Sequence, residues 1–124
     1  APNEIGVIVR SDAELSRARA TVERAGLPFE LLDEHLDTVS SKVSISTMQR
    51  AKGLEFRAVA VMACDDEVIP LQHRIESVAD EADLDEVYCT ERHLLYVACT
   101  RARDALWVSG VAPASEFLDD LNAA

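Results

Sequence analysis

The segment from Ala58 to Ala63 constrains the fold of this chain more than any other stretch of its sequence. It reads Ala-Val-Ala-Val-Met-Ala, so that a strand formed by this segment would carry apolar side chains on both of its faces. A strand that is apolar on both faces is typical of the centre of a parallel sheet, where helices cover each side. The short, mainly β-branched run Ile5–Val9 predicts another strand.

Helical patterns alternate with these strands. Over residues 13–25 the apolar positions recur at helical spacing. The side chain of Ser11 or Asp12 can accept hydrogen bonds from the free amides of the first turn. Gly26, followed by Leu27-Pro28, ends the helix. Further elements are predicted as helices over 85–103 and from Ser115, and as strands over 29–32, 43–46 and 105–109. The alternation predicts a single-domain α/β fold with a mostly parallel sheet flanked by helices.

The composition is that of one ordinary domain. The chain has 124 residues, of which 48% are hydrophobic, which is enough to form a core. It contains no run of about 18 or more apolar residues, and no basic leader, so we expect a cytoplasmic protein that does not cross a membrane. Its three cysteines show no C-x-x-C spacing, which argues against a disulfide framework or a zinc site, and we predict no metal ligands.

The distribution of charge matters more than the total. A formal net charge of −11 argues against nucleic acid as a ligand, because Lys and Arg contacts dominate the affinity for phosphate backbones. Residues 64–91, however, hold ten acidic residues and one basic residue, Arg74, so that this segment alone carries −9. The rest of the chain is nearly neutral. A basic cleft can therefore exist elsewhere, since a ligand responds to the local field.

One basic segment, residues 47–56 with the sequence TMQRAKGLEF, follows a predicted strand. Ligands of open α/β sheets bind beyond the carboxyl ends of the strands, so we expect the segment to lie at that edge. Lys52 and Arg50 can reach phosphates there. Gly53 allows a close approach of the backbone, and Glu55 can accept hydrogen bonds from ribose hydroxyls. The alternative is a surface turn with solvated charges.

A second segment, residues 91–103 with the sequence ERHLLYVACTRAR, ends a predicted apolar helix. Arg101 and Arg103 would project from this rigid base, and an arginine held in this way can neutralise charge in a phosphoryl-transfer transition state. We expect the Arg101 guanidinium at an open cleft on the carboxyl edge of the sheet. The alternative is that both arginines cap the helix or pair with nearby acids. Tyr96 and Trp107 could stack on bases, but because they lie on apolar faces we predict that they are core residues.

Together the two segments resemble the motifs of a known family. SISTMQRAKGLEFRAVAVMACDDEVIP is similar to motif V of the UvrD/Rep-like superfamily 1 helicases and the strand after it. ERHLLYVACTRARDALWVSG is similar to their motif VI and its following strand. IGVIVRS and VERAGLPFELL resemble the strand, helix and turn before motif V. The resemblance covers nearly the whole chain, and it is to the second of the two RecA-like motor domains of this family.

The resemblance implies roles for individual residues. Arg101 matches the motif VI arginine that contacts the γ-phosphate of ATP, and Glu55 matches the motif V glutamate that binds the ribose. Gly53 matches the glycine beside the nucleotide, and Lys52 supports the same cleft. The residues that fall where motif V meets single-stranded DNA are Thr47, Met48, Gln49 and Arg50. Gln49 stands where the family usually has His, and His93 replaces a frequent Arg.

The resemblance also implies partners. The chain has neither a G-x-x-x-x-G-K-[ST] loop nor an NYR-type motif. ATP and Mg²⁺ would therefore be held mainly by an N-terminal RecA-like domain of the same polypeptide. Residues 1–124 are expected to be a fragment of a longer ATP-dependent helicase that acts on single-stranded and duplex DNA, with 3′ to 5′ polarity. We expect the isolated chain to be inactive.

Two other interpretations remain open at this point. A receiver-like signalling module would use Asp65 and Asp66, after a strand, as an acidic metal pocket, although we find no convincing phosphoacceptor Asp and Lys elsewhere. A degenerate, non-catalytic motor domain would serve as a protein-interaction platform, with the acidic stretch 76–91 as its docking surface. The presence of Arg101 and Glu55 argues against this degeneracy.

Overall fold

The computed structural model describes residues 4–31, 42–65, 68–69, 72–77, 80–110, 115 and 117–118. In these residues five strands form one sheet with the order β2-β3-β1-β4-β5, and every neighbouring pair is parallel. The strands are β1 (Ile5–Val9), β2 (Phe29–Leu31), β3 (Val43–Thr47), β4 (Phe56–Val61) and β5 (Ala102–Val108). The predicted parallel α/β architecture is confirmed, and β4 lies inside the sheet as its apolar sequence indicated.

Within the described residues, three α-helices with defined bounds accompany the strands. They are α1 (Leu15–Arg24), which follows a short 3₁₀ turn at Asp12–Glu14, α2 (Gln72–Glu76) and α3 (Glu81–Cys99). Gly26 adopts a φ of 72°, a left-handed conformation that stops α1 without the penalty a Cβ atom would bring. Asp80 caps α3, because its carboxylate accepts a hydrogen bond from the Asp83 amide at 2.9 Å.

Helix α3 differs in extent from the predicted helix 85–103. It begins at Glu81, where the Asp80 cap supplies the start signal, and it ends at Cys99. Ala102 instead pairs with Phe56 of β4 and opens the last strand. The helical pattern thus ends where pairing with β4 begins.

The sheet has a core on each face. Because side chains alternate along a strand, Val7 and Val9 of β1 pack with α1, while Ile8 packs with α3. Phe56 begins β4 on the α3 side and covers Gly6, where an added Cβ atom would lie 2.5 Å from the phenyl ring. Full burial of an aliphatic side chain contributes about 2 kcal/mol, so these two clusters hold the sheet and its helices together.

Two aromatic residues depart from the prediction. Trp107 is 62% exposed and Tyr96 is 37% exposed, so the prediction that they are core residues is wrong. Strand β5 is at one end of the described sheet, and Trp107 lies opposite Ala60 on the face that carries α1. Helix α1, however, packs against β1, β2 and β3. The position of β5 within the sheet, rather than its own apolar pattern, therefore leaves Trp107 exposed.

The predicted C-terminal helix falls only partly within the described residues. Phe117 and Leu118 are helical, and the Ser115 hydroxyl accepts a hydrogen bond from the Phe117 amide at 3.3 Å, as expected of a residue that opens a helix. Leu121, further along this predicted helix, lies outside the described residues. Within the described residues, none of the helices has the length and apolar character needed to span a bilayer.

The cysteines give a prediction about this fold. Cys64 is buried after β4, and burial, with smaller contributions from Cys99 and Asp65, raises the pKa of its thiol to about 12. Cys89 is exposed on α3. Because the thiolate is the reactive form, we expect iodoacetamide at about pH 8 to label Cys89 in the native protein and Cys64 only after unfolding. Equal labelling rates, measured by mass spectrometry, would contradict the burial of Cys64.

The same raised pKa predicts the direction of a pH effect. Between the ordinary thiol pKa of 9.0 and a pKa of about 12, the unfolded state loses the Cys64 proton while the folded state keeps it. The free energy of unfolding contributed by this thiol is therefore complete below pH 9.0 and decreases as the pH rises towards about 12. A Cys64→Ala variant should lack this component of the alkaline decrease.

Candidate functional site

The connection from β3 to β4 consists of residues 48–55. It runs from the carboxyl ends of the strands, here called the carboxyl edge of the sheet, to their amino ends, the amino edge. The two strands are parallel and β1 lies between them, so the chain must return from the carboxyl edge to the amino edge. Met48 and Ala51 are fully buried in the cluster that contains Ile8 and α3, which shows that the connection crosses β1 on that face. A five-residue strand is about 17 Å long, so the two ends of this segment lie far apart.

At the carboxyl edge the connection borders a small polar cavity of about 130 Å³. The cavity is lined by Arg10, Ser11, Asp12, Thr47, Gln49 and Arg50. Gln49 and Arg50 are exposed, whereas Thr47 is nearly buried and its hydroxyl accepts a hydrogen bond from the Arg50 amide at 3.4 Å. The Arg50 Nη1 atom lies 3.7 Å from Asp12 Oδ1, and this exposed pair contributes under about 1 kcal/mol. Arg50 can therefore exchange this partner for a phosphate at small cost.

The prediction that the Met48 side chain faces DNA is wrong. Its side chain has no exposed surface and packs in the core beside Ile8. Its backbone amide donates to the Val9 carbonyl oxygen at 2.8 Å, which continues the pairing between β3 and β1. The Met48 side chain thus anchors the connection on the sheet, and Thr47, Gln49 and Arg50 are the predicted residues of this group that line the cavity.

At the amino edge the other end of the connection meets the end of α3. Glu55 directly precedes β4, and Arg101 directly precedes β5. The Phe56 amide donates to the Arg101 carbonyl oxygen at 2.8 Å, which brings these two loops side by side. The expectation that Arg101, Gly53 and Glu55 lie at the carboxyl edge is therefore wrong. They lie at the opposite edge, because α3 and the β3–β4 connection both run against the direction of the strands.

The Arg101 side chain folds back on its own helix. Its Nε atom donates to the Val97 carbonyl oxygen at 3.1 Å, and its Nη2 atom donates to the Thr100 hydroxyl at 3.0 Å. Arg101 forms no ion pair with any carboxylate in the described part of the chain. Helix capping, one of the two structural alternatives, is thus what the side chain does here. Both partners are neutral, so a triphosphate could compete for the Arg101 guanidinium, which belongs to a partly exposed residue.

The last part of the β3–β4 connection, residues 52–55, suits the approach of a ligand. Gly53 has a φ of 80°, and an added Cβ atom would have nothing within 4 Å, so backbone conformation rather than crowding accounts for glycine there. Lys52 and Glu55 are exposed on either side of it. The Arg101 guanidinium and the open backbone at Gly53 suit phosphates, and the exposed Glu55 carboxylate can accept hydrogen bonds from ribose hydroxyls.

A buried ion cluster that the sequence analysis missed lies behind the cavity at the carboxyl edge. Glu91 of α3 is 0% exposed and accepts two hydrogen bonds from Arg10, at 2.8 Å from Nε and 2.6 Å from Nη2. Arg74 adds a third at 2.8 Å. A signal for this cluster was present: Glu91 shares a helix face with Leu94 and Leu95, and a carboxylate on a buried face requires a cation.

Asp65, one of the two carboxylates proposed for the acidic pocket of a receiver-like module, is paired with an arginine. Its carboxylate accepts a hydrogen bond from Arg17 of α1 at 2.7 Å, and this bond is the main reason that the pKa of Arg17 is raised. Among the described residues there is no group of three or more His, Cys, Asp or Glu side chains that could hold a metal ion. Asp66 lies outside the described residues.

The parallel five-stranded sheet and its flanking helices define a RecA-like α/β domain. Residues 4–112 match the UvrD-like helicase C-terminal domain, and the chain belongs to that family. A solved structure described as the C-terminal domain of a possible DNA helicase from Lactobacillus plantarum WCFS1 is similar, with a TM-score of 0.62 and 25% identity. The similarity covers 93% of this chain and 60% of that one.

Curated helicases show the same relationship in sequence. The chain is 45% identical over 69 residues to a putative ATP-dependent DNA helicase, YjcD, of Bacillus subtilis, which covers 54% of this chain. It is 37% identical over 89 residues, 72% of its length, to the ATP-dependent DNA helicase srs2 of Schizosaccharomyces pombe. It is 31% identical over 106 residues, 85% of its length, to a probable DNA helicase II homolog of Rickettsia conorii. The chain spans only 9% to 15% of the length of these relatives.

Proposed function

We propose that this chain is the second RecA-like motor domain of a longer cytoplasmic ATP-dependent DNA helicase. Its amino edge faces the nucleotide through Arg101, Glu55, Gly53 and Lys52. Its carboxyl edge faces single-stranded DNA through Thr47, Gln49 and Arg50. The observation that carries this proposal is the β3–β4 connection, because one short segment anchored by Met48 and Ala51 reaches both edges.

The geometry explains how such a domain would couple its two ligands. Mg-ATP, held mainly by the N-terminal RecA-like domain, supplies the phosphoryl-transfer chemistry when bound. Arg101 would leave its neutral helix partners and place its charge against the terminal phosphate, while Glu55 would accept hydrogen bonds from the ribose. Because the connection is packed rigidly on the sheet, a movement of Glu55 is carried to Gln49 and Arg50 at the other edge. The isolated chain would be inactive, and the family resemblance implies 3′ to 5′ movement.

Variants at the two edges test this assignment separately. In the intact polypeptide, Arg50→Ala should weaken binding to single-stranded DNA and reduce the slope of log K against log salt by about 0.7, the value of one phosphate contact. The KM for ATP should stay unchanged. Glu55→Ala should raise the KM for ATP about tenfold, because a charge-assisted hydrogen bond is lost. Its DNA affinity without nucleotide should remain that of the unmodified protein.

Fluorescence anisotropy over a salt series and steady-state ATPase kinetics measure the two effects. Arg57→Ala is a suitable control, since Arg57 is exposed at the amino edge but pairs with Asp104 and Glu4. If Arg50→Ala changed the KM for ATP while Glu55→Ala changed DNA affinity, the assignment of the two edges would be reversed and the proposal rejected.

A further inference from the structure

The Arg10–Glu91–Arg74 cluster joins three separate parts of the chain. Arg10 directly follows β1, Glu91 lies in the middle of α3 and Arg74 belongs to α2. Arg10 is only 4% exposed and Glu91 is not exposed at all, while Arg74 is 36% exposed. The pairing of Arg10 with Glu91 uses both carboxylate oxygens and therefore fixes the plane as well as the position of the guanidinium.

Stability alone does not require this arrangement. Desolvation of a buried ion pair can outweigh its Coulomb energy, and well-packed apolar side chains of similar size are often as stable or more so. The neighbours of Glu91 along its helix face, Leu94 and Leu95, belong to the apolar core and show that apolar packing is available there. A directional interaction at this point therefore suggests a need for orientation.

The cluster also stands between the two proposed ligand edges. Arg10 lines the carboxyl-edge cavity beside Thr47 and Gln49. Glu91 is in the helix that ends at Cys99, two residues before Arg101, and the part of the helix from Glu91 to this end is about 12 Å long. Helix α3 thus forms a second rigid connection between the edges, in addition to the β3–β4 connection.

We propose that Glu91 is a positioning residue that couples DNA binding to ATP turnover. By fixing Arg10 it sets the shape of the cavity around Thr47 and Gln49, and a shift of that cavity on DNA binding is transmitted through α3 to Arg101. Glu91 touches neither ligand. The inference rests on the proposed function, because it requires DNA at one edge and the nucleotide at the other.

The first test is Glu91→Gln in the intact polypeptide, with Glu86→Gln as the matched control, since Glu86 is exposed on the same helix. Glutamine keeps the shape of the side chain but removes its charge. We expect the stimulation of ATPase by oligo(dT) to fall about tenfold, within the usual range of coupling between sites. The DNA-independent rate should be unchanged, and Glu86→Gln should be stimulated normally.

A second variant separates positioning from folding. Arg10→Met combined with Glu91→Leu replaces the ion pair by apolar side chains, and we expect its melting temperature to be close to that of the unmodified protein. Its stimulation by oligo(dT) should nevertheless stay low. If stimulation returned together with stability, or if Glu91→Gln were stimulated normally, the positioning role would be rejected.

The outcome is distinguishable from failure of the proposed function itself. If Arg101→Ala abolishes turnover while both Glu91 variants retain full stimulation, the motor-domain assignment stands and only the coupling role of Glu91 fails. If Arg101→Ala turns over normally, the nucleotide-edge assignment fails whatever the Glu91 variants show.

Discussion

Replacing Arg101 by alanine in the intact polypeptide is expected to lower the kcat of DNA-stimulated ATP hydrolysis by about 10³-fold or more, the effect of losing an arginine finger. Most of the nucleotide affinity should remain, because the neighbouring domain and Glu55 would still bind ATP. The expected signature is therefore a large loss in kcat with little change in KM. Single-turnover and steady-state assays at saturating oligo(dT) measure both quantities.

Arg103→Ala is the matched control for Arg101→Ala. It removes the same charge two residues further along the chain, from an exposed position at the beginning of β5. Loss of the two hydrogen bonds that Arg101 makes to Val97 and Thr100 should cost about 1–2 kcal/mol, which a folded domain can tolerate. Normal turnover in Arg101→Ala, or an equal loss in Arg103→Ala, would contradict the finger assignment.

Replacing Glu91 by leucine alone is expected to decrease the free energy of unfolding by about 3–5 kcal/mol, because Arg10 would be left as a buried charge without its counterion. Arg74 is more exposed and can turn towards water. Addition of Arg10→Met to this variant should recover most of the loss, since both buried charges of the pair are then absent. Urea denaturation of the single and double variants measures the two values.

Glu86→Leu provides the reference for this stability series. Glu86 is exposed on the same helix, so its substitution should change the free energy of unfolding by no more than about 0.5 kcal/mol. A loss at Glu91→Leu as small as that at Glu86→Leu would show that Glu91 is not buried between the two arginines. A double variant less stable than Glu91→Leu would show that apolar packing cannot replace the ion pair.

The sequence was most informative where a local pattern determines a local structure. The apolar run 58–63 correctly predicted an inner parallel strand, and Gly26 before Pro28 correctly predicted the end of α1. The resemblance of the two motif segments to UvrD/Rep-like helicases correctly predicted the family. These features depend on side-chain periodicity, backbone conformation and residue identity, all of which can be read within a few adjacent positions.

The sequence was less informative about burial. Trp107 and Met48 are both large apolar residues in or next to strands, yet Trp107 is exposed and Met48 is fully buried. The difference arises from strand order, because Met48 lies over the central strand β1 while Trp107 is on a strand at the end of the described sheet. Strand order depends on pairing between segments that are distant in sequence, so no local pattern could reveal it.

By itself, then, the sequence determined which segments become parallel strands and helices, and it pointed to the residues that we propose bind phosphate and DNA. Only the tertiary structure decided that Arg101 and Glu55 meet at the amino edge, that Arg50 and Gln49 lie at the opposite one, and that α3 links both through Glu91 and Arg10. The physical reason is that periodicity is a property of neighbouring residues. The edge at which a loop emerges, and the partner of a buried charge, depend on long-range packing.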